Sequence, residues 1–415
     1  MTPLLLLLAQ TVTHGPSAGD VTPDRAVIWV RGDRAGEIRV RGKKVRLEAS
    51  ADFTGKVELR SLRPNTRYDY TAGDAAGSFR TAPDPRDPHP VTFAWGGDVA
   101  GQNVCRDTSE GVPIFRALHA LAPDFFIGLG DMIYGDNTCE AVGRYKNSQI
   151  PGGFPAASDL AGYWAHWKYN LADDGLRTFL RRTPYYAIWD DHEVADNFDS
   201  SHKLMPAGHA AFLHYNPIVS RELYRSFRWG RHVELFFLDT RHYRVPGRTL
   251  LGARQLAWFQ SRLARSRATW KVIVSSVPMS IPTGPTAARD SWVGYEDELQ
   301  SLLRFAESKK ILNQIWLTTD VHFAAAFRYP RFRVHEFITG PLNAGLFPTR
   351  NLSTTLAPER LFFFGPEKGD RGLSWEQAKP WMNFGVIRID GAGNLTATVR
   401  DVDGKVRYEL TLPPG

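Results

Sequence analysis

The sequence predicts an α/β protein in two parts: a small all-β sandwich, then a larger domain in which strands alternate with helices. Three observations carry this. Residues 12–82 hold short β-type runs separated by Gly, Asp, Asn and Pro, the spacing of a small Ig- or fibronectin-like sandwich. Residues 83–90 hold four prolines, which neither a central strand nor a helix tolerates, so a linker is placed there. From Val91 onward the pattern alternates between apolar strand runs and amphipathic helical runs through to residue 415.

In the first part, the run from Ala26 to Val30 reads as a strand, followed by runs at 37–40, 45–48, 56–59 and 68–70. In the second part, strands are expected at 91–95, 124–129, 185–189, 233–238, 270–274 and 311–317. Helices are expected at 113–121, where Pro113 opens the first turn, at 160–182, and at 252–265. From Phe384 a β meander follows, with Asp403-Gly404 as a hairpin turn. Stretches 135–158 and 341–382 lack clear periodicity and are read as long loops, functional or mobile.

The 415 residues include 43% hydrophobic and 23% charged side chains, which suits a globular chain rather than a disordered one. Lys and Arg number 51 against 44 Asp and Glu, a formal charge of +7 that would favour encounter with anions. The basic residues are scattered without an arm or long run, so no specific nucleic-acid complex is expected. Residues 1–11 carry the run Leu4 to Leu8, a signal-like segment too short to span a bilayer. No membrane span is expected elsewhere, and the protein is read as periplasmic or extracellular. The two cysteines, Cys105 and Cys139, cannot make a Cys-based zinc site. Each lies a few residues past an aspartate that follows a strand. They are read either as a disulfide between neighbouring loops or as two free thiols.

Five of the six strands of the large domain end within a few residues of an aspartate. Parallel strands would bring Asp98, Asp131, Asp190, Asp191, Asp239 and Asp320 to one rim, where α/β sheets bind ligands. Any one of these is adequately explained as a helix cap. The set is not, because clustered bare carboxylates repel one another and desolvate badly unless cations offset them.

These residues sit in recognisable blocks. Residues 14–31, then Gly130-Asp-Met-Ile-Tyr134, Trp189-Asp-Asp-His-Glu193, Leu238-Asp-Thr-Arg-His-Tyr-Arg244 and Asp320-Val-His322, follow in the order of the alkaline phosphatase D (PhoD-like) family. That family lies within the calcineurin-like metallophosphoesterases, and the chain resembles it over nearly its whole length. The resemblance implies a four-layer αββα metallophosphoesterase sandwich hydrolysing small phosphate mono- or diesters, and a monomer is expected. A metal-bound hydroxide would attack phosphorus. It further implies that Asp98, Tyr134 and His322 hold a first metal, that Asp191 and Asp320 hold a second, and that Asp131 bridges them. Asp190 is the runner-up for the Asp191 role. His192 would protonate the leaving group. Arg241 would reach the phosphate or, equally, form a salt bridge with Asp239. Iron(III) with calcium is the implied pair, with Mn²⁺, Mg²⁺ or Zn²⁺ as alternatives, since carboxylates and a phenolate are hard donors.

The chain departs from that pattern in two places. Asp98 stands where relatives carry a cysteine-containing element, and Ser275-Ser276 stands where the wider superfamily has a histidine. Glu193 and Asn197 would orient His192 or hold the loop. His166, His202, His209 and His214 are read as surface or packing residues. The Walker A loop, the GxSxG elbow, HExxH and the dinucleotide fingerprint are absent from the sequence. The competing reading is an exported binding protein whose metal centre is structural. It has no need of a proton donor such as His192.

Overall fold

The computed structural model describes residues 10–283 and 290–415; the signal-like segment at 1–11 falls almost entirely outside them. The N-terminal region comprises β1 (Val12–Gly19), β2 (Ala26–Gly32), β3 (Gly36–Val40), β4 (Lys43–Leu47), β5 (Thr54–Leu59), β6 (Arg67–Ala72) and β7 (Ala75–Arg80). Next come β8 (Val91–Gly96), α1 (Ile114–Leu121), β9 (Phe125–Gly128), α2 (Leu160–Leu171), α3 (Asp174–Leu180) and β10 (Tyr185–Ala187). The chain continues through α4 (Met205–Tyr215), β11 (Arg225–Trp229), β12 (Val233–Phe237), α5 (Gly252–Arg265), β13 (Trp270–Val274) and α6 (Glu296–Ser308). It closes with β14 (Gln314–Thr318), β15 (Ala324–Tyr329), β16 (Val334–Ile338), β17 (Glu359–Phe364), α7 (Trp375–Ala378), β18 (Asn383–Ile389), β19 (Leu395–Asp401) and β20 (Val406–Leu412).

Two large sheets face each other. One has the order β20-β19-β18-β8-β9-β10-β1-β2-β5, and the other β11-β12-β13-β14-β16-β15-β17. The period of two along a strand sends alternate side chains to opposite faces. Phe125 turns inward, its ring centroid 4.5 Å from that of Trp229, while its neighbour Phe126 turns outward onto Phe179 of α3 at 5.4 Å. On the second sheet Phe237 meets Tyr186 of the first sheet at 6.0 Å, and Phe236 packs outward on Phe259 of α5 at 5.7 Å. Helices therefore cover the outer faces and the sheets share an aromatic core between them.

β8, β9 and β10 run parallel, as do β12, β13 and β14. This gives both sheets carboxyl ends on which loops gather. The expected helix at 160–182 is two helices, because Asp173 accepts the backbone N–H of Leu176 and restarts the chain as α3. The aperiodic stretch 341–382 contains β17 and α7.

The N-terminal strands divide between two sheets. β4-β3-β6-β7 form a small sheet of their own, whereas β2 and β5 extend the nine-stranded sheet through β1, which pairs with β10 at Gly19 and Tyr185. The physical link is local. Gly19 has no Cβ, and one placed there would lie 2.4 Å from the Tyr185 carbonyl. β1 escaped the sequence reading because its Gly, Pro and Ser residues break the alternation on which strand assignment depends.

Candidate metal centre

Asp98, Asp131, Asp190, Asp191 and Asp320 come from the loops after β8, β9, β10 and β14, and all five are buried or nearly so. Asp98, Asp131, Asp320 and His322 each hold a left-handed backbone, with φ of 64°, 51°, 78° and 57°. Such conformations cost non-glycine residues energy and gather at functional sites. Gly340, at φ +130°, lies against Asp98; a Cβ there would sit 2.2 Å from Asp98 Oδ2, so only glycine fits.

Ligand atoms of Asp131, Asp191 and His192 lie within 4.8 Å of one another, as do those of Asp190, Asp191 and Asp320. Asp191 belongs to both triads. Beside them, Tyr134 Oη lies 2.9 Å from His322 Nε2, and that nitrogen lies 3.6 Å from Asp98 Oδ1. His322 Nδ1 donates to the Gly345 carbonyl at 2.5 Å. This fixes the proton on Nδ1 and leaves the Nε2 lone pair facing the carboxylates, the orientation a ligating histidine needs.

Four buried carboxylate oxygens, Asp98 Oδ1, Asp190 Oδ2, Asp191 Oδ1 and Asp320 Oδ2, have no hydrogen-bond partner. Burial drives the Asp98, Asp131 and Asp320 carboxyls above the usual range, and neighbouring carboxylates add to the effect. Burial also raises the Tyr134 phenol, with the Asp131 charge next. Such a set is unstable as an array of bare anions. Its oxygen-rich donors with one imidazole fit hard cations.

His192 is held differently. Its Nδ1 lies 2.7 Å from Asp136 Oδ1, and its ring stacks on Tyr134 with centroids 4.1 Å apart. Nε2 is 3.9 Å from both Asp191 Oδ2 and Asp196 Oδ1, too far for a hydrogen bond. Burial pulls this imidazole down, but Asp191, Asp136 and Asp196 outweigh it and lift it to about 10.

The model of the PhoD-like phosphatase family matches residues 93–389. This chain belongs to the PhoD-like phosphatase family. It is 24% identical over 383 residues to alkaline phosphatase D of Bacillus subtilis (strain 168), an alignment covering 75% of this chain. The chain spans 64% of that relative's length. A solved structure of PhoD superposes with a TM-score of 0.78 at 20% identity, covering 97% of this chain and 90% of that one. The purple acid phosphatase PPD1 from yellow lupin (Lupinus luteus) seeds gives 0.65 at 14% identity, covering 96% and 74%. Both solved structures share the fold.

Arg241 reaches neither solvent nor the Asp239 carboxylate by its guanidinium. Its side chain is fully buried; Nε donates to Asp190 at 2.5 Å, Nη1 and Nη2 donate to Asp290, and Nη2 lies 3.4 Å from Asp191 Oδ1. Its guanidinium nitrogens are committed to buried carboxylates. Asp239 stands apart from the cluster, accepting from Trp189 Nε1 at 2.8 Å and from the backbone of Arg241 and His242. Asp190, expected only as a substitute for Asp191, lies in the cluster beside it.

Neither Glu193 nor Asn197 orients the His192 ring. Glu193 accepts the backbone N–H groups of Asp131, Met132 and Asp190, tying two strand ends together. The backbone N–H of Asn197 donates to Asp191 Oδ2 at 2.7 Å. Ser276, at the position of the missing histidine, donates to Asp190 Oδ1 at 2.8 Å. His166 and His214 are held by packing partners, the Pro155 carbonyl and the Trp164 indole.

Asp136, Asp290 and Gly345 were not picked out from sequence. Asp136 carried a signal, five residues past Asp131 in the same loop; Asp290 and the Gly345 carbonyl carried none. Cys105 and Cys139 form a disulfide between the loops after β8 and β9. The carbonyl of Gly345 is fixed in turn. Its N–H donates to Gln102 Oε1, and the next N–H, of Leu346, donates to Asp370, which pairs with Arg144.

Proposed function

We propose that this protein is a metal-dependent phosphoesterase acting on small phosphate mono- or diesters at neutral to alkaline pH. The observation that carries the reading is a set of buried carboxylates, four of whose oxygens lack a hydrogen-bond partner, with Asp131 and Asp191 grouped beside His192. Asp98, Tyr134 and His322 would hold one cation, Asp190, Asp191 and Asp320 a second, and Asp131 would bridge the two. Bound there, two such cations would neutralise the phosphate oxygens and make a water available for in-line attack.

The chain's own residues supply the rest. Asp136 fixes the His192 ring through Nδ1, so the Nε2 proton is the one left to pass to the departing oxygen. The stacked Tyr134 ring restricts the imidazole's tilt. Arg241 and Asp290 lock Asp190 in place, and Glu193 holds the backbone from which Asp131 and Asp190 project.

The phenol and carboxylate donors favour iron(III) with calcium, ahead of Mn²⁺, Mg²⁺ or Zn²⁺. The buried disulfide supports a periplasmic or extracellular location, where such bonds persist. Turnover of a chromogenic phosphate monoester and diester, with each metal added in turn, tests the reading. Wild-type turnover that Asp131→Asn abolishes supports it. Binding of the esters without turnover under every metal would favour a structural centre. A visible charge-transfer band that disappears in Tyr134→Phe would support the iron assignment; a colourless, iron-free, fully active enzyme would remove it.

A further inference from the structure

At the opposite end of β10 from the carboxylate cluster, the small sheet and the end of α3 enclose an open cleft of about 1140 Å³. Arg181 and Arg182 precede that strand, whereas Asp190 and Asp191 follow it. Arg41, Arg67, Arg181 and Arg182 line the cleft, with Asp69 as its one acid. A second open cleft of about 440 Å³ adjoins it and shares Arg41, adding Lys43, Arg60 and Arg63 with no acid in its lining. Arg60 pairs with Glu58 and Arg67 with Asp69, while among the described residues neither Arg63 nor Arg182 pairs with a carboxylate.

One of these cations is already held in place. Arg41 is anchored, its Nη1 donating to the Asp69 carbonyl at 3.1 Å and its guanidinium lying 5.1 Å from the Tyr68 ring centroid. Little of its entropy remains to be lost on binding.

We propose that the two clefts form one binding surface for a linear polyanion carrying phosphate groups along its length. Cations spread over two joined, open clefts suit an extended chain better than a compact ligand. Guanidinium forks, six of the seven cations, match tetrahedral oxyanions through paired donors. Tyr68 is the one ring facing the second cleft and Arg41 already covers it, so a single-stranded nucleic acid would find no free stacking platform. The surface is independent of the metal centre.

The probe is an inorganic polyphosphate of about 25 phosphates, titrated by calorimetry at low and moderate salt, with saturating orthophosphate present to fill any site at the metal centre. Wild type should bind, with an affinity that falls steeply with salt. Arg41→Glu/Arg182→Glu should weaken binding by about 10-fold or more and flatten the salt dependence by about two in slope, with an unchanged thermal midpoint. If that variant misfolds, Arg41→Gln/Arg182→Gln serves, with a smaller loss in the same direction. No binding at low salt, complete displacement by orthophosphate, or equal affinity in a folded variant would each overturn the proposal. Equal affinity for a single-stranded oligonucleotide of the same charge would overturn the preference for a bare phosphate chain.

Discussion

Asp136 Oδ1 lies 2.7 Å from His192 Nδ1, on the side of the ring away from the clustered carboxylates' ligand atoms. The pair connects a loop after β9 to the end of β10 and leaves one imidazole proton free. Replacing Asp136 by Asn keeps the shape but removes the charge that orients and stabilises the imidazolium. Turnover of an alkyl phosphate should fall about 10-fold or more, approaching the loss in His192→Gln, which general-acid catalysis puts at about 100-fold or more. A nitrophenyl ester, whose leaving group needs no proton, should be affected much less. Equal losses on both substrates would remove His192 from the acid role.

Arg241 offers a test of stability. It is fully buried against Asp190, Asp191 and Asp290, so Arg241→Met strands those charges. Breaking a buried pair in this way costs about 3–5 kcal/mol. Denaturant unfolding should show that loss. A variant of unchanged stability with a raised KM would instead return Arg241 to the phosphate.

The Cys105–Cys139 bridge closes a loop of sequence separation 34 and ties the two loops that flank Asp98 and Asp131. Chain entropy over that length predicts a loss of about 3–4 kcal/mol in Cys105→Ser/Cys139→Ser. The variant should also release metal faster on dialysis against a chelator, since Gln102 and Arg144 in these loops support the Gly345 carbonyl behind His322. Unchanged metal retention would show that the bridge serves the fold alone.

His14 and His166 set a pH dependence remote from the carboxylates. Burial, then the Arg31 charge, lowers His14 to about 4, and burial lowers His166 to about 4. Unfolded, each would titrate near 6.5. Below that value the unfolded chain binds more protons, so their contribution is complete above pH 6.5 and is lost as pH falls towards 4. The slope is at most about 1.4 kcal/mol per pH unit for each. Unfolding midpoints from pH 7 to 4.5 should decline less steeply in His14→Gln/His166→Gln than in wild type. Parallel declines would assign the acid sensitivity elsewhere.

The rim of aspartates was legible because parallel strands present their carboxyl ends together, and a strand run followed by Asp can be read from one sequence. What such a reading misses is pairing. Arg241 and Asp290 are 49 positions apart, and nothing local to Arg241 shows that its guanidinium is already committed. The Gly345 carbonyl behind His322 is invisible for a related reason, since a backbone acceptor has no residue signature. Asp190 and Asp191 both enter the cluster because the chain leaves β10 after Ala187 and turns, so the alternation that would separate neighbouring side chains has ended. The same loss of alternation, caused by Gly and Pro, concealed β1 and with it the joining of the N-terminal strands to the large sheet.

Metal stoichiometry of purified protein tests the central claim most directly. Elemental analysis of wild type should find about two metal ions per chain, and Asp131→Asn, folded to the same thermal midpoint, should hold fewer. Protein free of metal that still hydrolyses phosphate esters in the presence of chelator would contradict the account.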